Sequence, residues 1–228
     1  MDINIKNLAV FEIGGVEIWI TQTTFGTWVI MAVLTALAIT VRVKIKKFQE
    51  VPSGFQNVIE SLVEMFLNYY RTNAGEKLMY LGNWFFMMFS FILLSNISGM
   101  FFLRPPTADW TMTFAFALVA FILIQVLGIR YRKMGYLKDL CRPVILFLPL
   151  NVIGELARPV ALSFRLFGNV LAGTILMTLL YEMAPYFMRF VIPIALHMYF
   201  DLFAGALQTF IITTLSISFI GAASTVES

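Results

Sequence analysis

Apolar residues fall in long, nearly unbroken runs separated by short charged stretches. That pattern lacks the two-residue period of a half-buried strand and, over most of the chain, the one-sided stripe of a surface helix. Phe25 to Val41 is almost wholly apolar. At about 1.5 Å rise per residue, such a run with its flanks crosses a hydrocarbon core of about 30 Å. Trp84 to Phe102, interrupted by Asn96 and Gly99, and Trp110 to Ile129 follow the same rule. The pattern therefore predicts spans over 25–41, 84–102 and 110–129, after a short exposed lead-in over 1–24 that carries Gly14, Gly15 and an interfacial Trp19. Residues 55–70 differ: Phe55, Val58, Leu62, Met65 and Phe66 recur at helical spacing opposite Glu60 and Glu64. They predict an amphipathic helix lying at the cytoplasmic interface.

Residues 144–153 are apolar but too short to cross, and contain Pro149; they read as a re-entrant or interfacial piece. Two long apolar runs follow, 160–183 and 190–223, the second broken only by His197, Asp201 and Gln208. A run longer than the roughly 20 residues an upright span requires must tilt, kink or overhang. The pair suggests a tilted helical hairpin, with upright packing as the alternative on length alone. The expected fold is an all-α membrane protein of five to six hydrophobic helices, one integral membrane domain over 1–228.

Composition agrees: 60% of residues are hydrophobic, with 23 Phe and 13 Met, which excludes an ordinary soluble domain. Charge then orients the spans. Arg42, Lys44, Lys46 and Lys47 follow the first, and Arg130, Arg132, Lys133, Lys138 and Arg142 follow the third. By the positive-inside rule both clusters are cytoplasmic, which puts the N-terminus outside and the C-terminus in the cytoplasm. Asp2, Lys6, Glu12 and Glu17 do not form a cleavable signal, so Met1 is read as part of the mature chain. The lone Cys141 cannot build a disulfide framework, and no Cys or His cluster has metal-ligand spacing. No basic patch interleaved with aromatics points to nucleic acid. Zinc-protease, phosphate-loop and nucleophile-elbow motifs are absent, so the chain is not expected to be an enzyme by itself.

One cation stands inside the apolar runs. An arginine at the bilayer centre costs at least about 2.5–3.5 kcal/mol, so Arg165 should face a cavity, an anion or a water path. Helical spacing groups Arg165 with Gly168, Asn169 and Ala172, and Asp201 with Ala204, Gly205 and Gln208. The two stripes could face each other. An Arg165–Asp201 pair joining two helices would explain two of these residues, but Glu155, Asn169, Thr174 and Gln208 make a surplus that fits a hydrated ion route better. His197, one turn before Asp201, reads as an interfacial residue rather than a proton carrier.

Arg158-Pro-Val-Ala-Leu-Ser-Phe-Arg165-Leu-Phe-Gly-Asn169, followed by Ala172-Gly173, closely resembles the signature of subunit a of F-type ATP synthases. Pro106-Thr-Ala-Asp109 and Leu207-Gln208-Thr-Phe, with an acid one helical face earlier, carry the same resemblance, which covers essentially the whole chain. It implies a stator beside a rotating ring of c subunits, with peripheral-stalk b subunits and soluble catalytic subunits as further partners and no cofactor. The position of Arg165 then faces the ring carboxylates and separates two aqueous half-channels for H⁺ or Na⁺, with Asn169 and Gln208 near it. Thr174 and Asp201 match positions that often carry an ionisable group; here only the second does, which makes Asp201 the expected relay. The ion-route set is thus Arg165, Asn169, Asp201, Gln208 and Glu155. The lack of a transit-like N-terminus favours a bacterial plasma membrane. A competing reading, a self-contained secondary transporter with Arg165 binding an anionic substrate, would favour internal repeats, and none is evident.

Overall fold

Two short strands, β1 (Asn7–Ile13) and β2 (Val16–Thr21), pair antiparallel from Asn7↔Thr21 to Ile13↔Val16. The computed structural model describes residues 7–13, 16–101, 104–133, 135–136, 141, 144–183 and 188–224. The sheet revises the lead-in and is an exception to an all-helical chain. Its second strand, Val-Glu-Ile-Trp-Ile-Thr, is rich in β-branched residues, which fit a pleated surface. Thr21 then ends the strand and starts the helix, its Oγ1 accepting the Thr24 N–H at 3.2 Å. This side-chain cap satisfies one of the donors a helix start leaves open.

The helices are α1 (Gln22–Lys44), α2 (Phe55–Ala74), α3 (Gly82–Ile97), α4 (Trp110–Arg132), α5 (Leu148–Met183), α6 (Met188–His197) and α7 (Gly205–Ser224). A π-helical segment, Met198–Ala204, joins α6 to α7 without a break. Among the described residues, five helical runs are long and apolar enough to cross a membrane: Gln22–Lys44, Glu76–Phe101, Trp110–Arg132, Ile145–Met183 and Ile192–Ser224. The chain is an integral membrane protein of helical class.

Glycines at φ 53° and 81°, Gly54 and Gly75, bound α2. Both lie in the left-handed region where a Cβ is penalised, so the ends of this helix need glycine. Residues 144–153, expected as a separate interfacial piece, are instead continuous with the next run: a 3₁₀ turn over Ile145–Phe147 leads straight into the 36 residues of α5. Pro149 does not prevent this, because it occupies the first turn, where a missing N–H leaves no bond unmade.

Contacts divide the chain into two compact units. The first comprises Met1–Ala38, Phe91–Thr113 and Phe164–Phe210. At its centre is Asn96, only 2% exposed. Its Nδ2 donates to the Gly205 carbonyl at 3.0 Å and to Thr209 Oγ1 at 3.1 Å, and its Oδ1 accepts from Thr107 Oγ1 at 2.8 Å. Gly205 lets the two backbones come this close, since a Cβ there would stand 2.8 Å from the Asn96 Cβ. The polar interruption of the third-helix run is therefore a helix-to-helix bond inside the unit, where no water competes for it.

The second unit comprises Ile39–Ser90, Phe114–Ser163 and Ile211–Ser228. Here Tyr70 is fully buried, its ring 5.6 Å from that of Phe85 and its hydroxyl donating to the Leu78 carbonyl at 3.1 Å. Burial above all pushes that hydroxyl's pKa up, so it stays a donor. Phe66 packs edge-on to Phe86 with centroids 5.3 Å apart. Phe55, Val58, Leu62 and Met65 remain exposed along the other side of α2, as an amphipathic interfacial helix requires.

Candidate functional site

The π segment sets the geometry of the first cluster. Its backbone bonds reach one residue further than in an α-helix, as when the Gly205 N–H donates to the Phe200 carbonyl. Such single turns often sit at functional sites. A second donor reaches the same carbonyl from α5, Asn169 Nδ2 at 3.3 Å. The next residue is Asp201. Its Oδ2 lies 2.6 Å from His197 Nδ1, with the two side chains only 18% and 19% exposed. That distance is at the short end for a charge-assisted hydrogen bond.

Room for the carboxyl comes from a glycine on a neighbouring element. Gly99 lies in the 3₁₀ turn Ser98–Phe101 that ends the α3 run, and a Cβ there would be 2.9 Å from Asp201 Cγ and Oδ2. Gly173 on α5 similarly lets Phe200 approach, its would-be Cβ 3.1 Å from the Phe200 Cβ. Between them is a cavity of about 20 Å³ lined by Gly99, Gly173, Thr174, His197, Phe200 and Asp201 among others, room for about one water. Thr174 donates its hydroxyl to the Val170 carbonyl at 2.9 Å.

Arg165 is exposed on α5. It makes neither a hydrogen bond nor an ion pair among the described residues, and the acid that could have clamped it is held by His197. A Cβ added at Gly168, one turn along, would meet nothing within 4 Å, so the surface beside the guanidinium is open among the described residues. The two polar stripes, which could have faced each other, are joined as follows. Gly205 lies against Asn96 of α3, and the link from α5 is Asn169 to a backbone carbonyl, not a guanidinium to a carboxylate. Gln208 is 7% exposed, with Nε2 unpartnered among the described residues.

Glu155 belongs to the second unit, in a separate polar cluster. Arg158 Nη1 lies 2.9 Å from its carboxylate and Gln125 Nε2 donates to Oε2 at 3.4 Å. Gln125 Oε1 in turn accepts the Tyr136 hydroxyl at 3.0 Å. Gly128 admits the Tyr136 ring, since a Cβ there would fall 2.7 Å from it. Burial first, and the Glu155 charge second, push the Tyr136 hydroxyl's pKa up, keeping it protonated and donating. Arg158 also lies over the Phe219 ring, 4.6 Å from its centroid. The cluster borders an open cavity of about 640 Å³. Chemically, each of the two clusters sets a carboxylate beside a nitrogen partner and a space that water can enter.

Three members of this arrangement escape a reading by residue type alone. His197 was signalled only by its four-residue spacing to Asp201, Gln125 by being a lone amide in an apolar run, and Tyr136 by nothing local. Among the described residues, no group of three or more His, Cys, Asp or Glu could hold a metal ion.

The family model described as ATP synthase A chain matches residues 24–221. The ATP synthase subunit a of Moorella thermoacetica is 33% identical over 222 residues, covering 95% of this chain and 96% of that protein.

Proposed function

The chain belongs to the ATP synthase A chain family, and on that premise we propose that it is the stator subunit that carries H⁺ or Na⁺ to and from the carboxylates of a c-subunit ring. The family consists of non-catalytic membrane subunits of ATP synthase, which supports a role for this chain in ion passage rather than in catalysis. The polar cavity of each unit supplies one aqueous access, with Asp201 the relay in the first and Glu155 in the second. Arg165 stops ions from passing directly between the two.

The observation that carries this reading is Arg165, a cation in an apolar helix, exposed and unpaired among the described residues beside an open glycine face. A membrane arginine without a partner in its own chain calls for one outside it. A ring carboxylate is such a partner. The fixed positive charge lowers the carboxylic acid's pKa, so the bound ion leaves before the site passes. The same charge repels a cation leaking straight across. Each elementary charge moving down 100 mV releases about 2.3 kcal/mol, which becomes rotation only while that leak is blocked. Asn169, by holding the Phe200 carbonyl, fixes the π turn beside the relay. We further propose b subunits of a peripheral stalk as partners, a bacterial plasma membrane as location, the N-terminus outside and the C-terminus in the cytoplasm.

Arg165→Ala should abolish gradient-driven ATP formation in membrane vesicles while the complex still assembles. Near-normal synthesis in the assembled variant would reject the assignment, as would purification without a c ring.

A further inference from the structure

We propose that the large cavity of the second unit holds the phosphate of an anionic phospholipid from the surrounding leaflet, gripped by Arg132 and Arg158; the proposal goes beyond the stator reading and does not depend on it. Size is the first observation. The cavity measures about 640 Å³, against about 20 Å³ beside Asp201. A file of waters needs little of that room, whereas about 300–1,000 Å³ is the ordinary range for sites that take small organic ligands. Charge is the second. Arg132, Arg158 and Glu155 line the cavity, two cations to one anion. The anion is already engaged by Arg158 Nη1 at 2.9 Å. A guanidinium has five N–H donors, and among the described residues only Nη1 of Arg158 has a hydrogen-bond partner. The side chain is 42% exposed, so its Nε and Nη2 can donate to an acceptor from outside the chain. Shape is the third. Leu146, Leu150 and Ile153 recur at four and then three residues, one face of the run that opens α5, and are 80%, 62% and 63% exposed. Leu150 also borders the cavity, beside Asn151. An apolar stripe therefore leads to the guanidinium groups.

A phosphodiester with acyl chains meets all three features. Its oxygens match the fork of a guanidinium, which binds phosphate through two parallel N–H···O bonds. Its chains need an apolar surface adjoining the charge, and the face of Leu146, Leu150 and Ile153 supplies one. Basic pockets between membrane helices hold anionic headgroups in this way. Arg132 ends α4 next to Lys133 and half a turn from Arg130, both exposed, so the positive field that draws a headgroup extends beyond the cavity. A zwitterionic lipid carries the same phosphate but brings its own cation, which the excess positive charge repels. The cavity therefore selects for net negative charge. It has room for a phosphate and for water beside it, so Glu155 stays in contact with solvent.

The full chain, purified in detergent and washed free of lipid, is titrated with phosphatidylglycerol, phosphatidylcholine and inorganic phosphate, and bound molecules are counted by native mass spectrometry. Wild type should bind one phosphatidylglycerol, and phosphatidylcholine at least about tenfold more weakly. Arg132→Gln and Arg158→Gln should each weaken phosphatidylglycerol by about tenfold or more, the loss of a charge-assisted bond. Arg130→Gln, outside the cavity, should leave it unchanged. Because Arg158→Gln strands the Glu155 charge, the double variant Arg158→Gln with Glu155→Gln is measured beside it and should lose the lipid while keeping its heat stability. Leu146→Ser with Ile153→Ser should weaken the lipid and not inorganic phosphate. Equal binding of the two lipids overturns the proposal, as does wild-type affinity in Arg132→Gln and in the Arg158/Glu155 double variant, or an equal loss in Arg130→Gln. Inorganic phosphate that displaces phosphatidylglycerol at equal concentration, or wild-type lipid affinity in the Leu146/Ile153 variant, would make the ligand a free anion and overturns it too. No arm reads ATP formation, so failure here leaves the stator reading standing, and a silent Arg165→Ala leaves the lipid site standing.

Discussion

Gly99→Ala probes the site with a single methyl group. Gly99 does not have the positive φ of Gly54 or Gly75, so alanine fits its backbone and should by itself gain about 0.5–1 kcal/mol in a helical turn. Any loss must then come from contact. The new Cβ would lie 2.9 Å from Asp201 Cγ and Oδ2 and 3.1 Å from Oδ1, where ordinary non-bonded separations begin at about 3.5 Å. The carboxyl has to retreat by about 0.6 Å or the turn has to shift. A retreat of that size stretches the 2.6 Å bond to His197 to about 3.2 Å, the outer limit for N–H···O. Overpacking of this kind costs about 1–3 kcal/mol, and 1.4 kcal/mol placed on the transfer step is tenfold in rate. ATP-driven proton uptake should therefore fall about tenfold in vesicles whose complexes assemble normally and whose soluble catalytic activity is unchanged. Wild-type uptake in an assembled Gly99→Ala complex would refute the claim that the position of the Asp201 carboxyl limits transfer.

Other outcomes follow from the same geometry. Asn96→Ala removes three buried side-chain bonds; at an average of about 0.6 kcal/mol each inside a membrane, it should destabilise the subunit by about 2 kcal/mol, seen as earlier heat-induced release from the detergent-solubilised complex. Gly168→Ala meets nothing within 4 Å in its own chain, so heat stability of the isolated subunit should hold while retention of the c ring weakens; unchanged retention would argue against a ring on that face. Glu155→Gln should slow proton release more than Tyr136→Phe, because the phenol reaches Glu155 only through Gln125; the reverse order in a flux assay would remove Glu155 from the route.

Much of this protein was decided by the one-dimensional pattern. Apolar runs of about 20 residues have one stable solution in lipid, since every backbone group must be bonded within its own segment, and so the spans could be read before any packing was known. Arg165 stood out in the same way, because a cation inside an apolar run is visible from residue type alone. Family membership rested on the ordered motif around it.

What the sequence could not settle was which polar group meets which. Asp201 had Arg165 on another helix as its candidate partner while His197, one turn away, read as interfacial, and only the fold showed that the nearby ring takes it. The choice turns on the π segment and on Gly99 and Gly173, whose missing side chains set distances that no spacing rule contains. Nor could residue type foretell that Pro149 would open a long helix rather than interrupt one, because a proline's effect depends on its place and packing in the helix, and Pro159 lies inside the same helix without ending it. Local periodicity fixes the elements. Contacts between residues far apart in the chain, such as Asn96 with Gly205 and Gly99 with Asp201, arise only when those elements pack, and they place the ionisable groups.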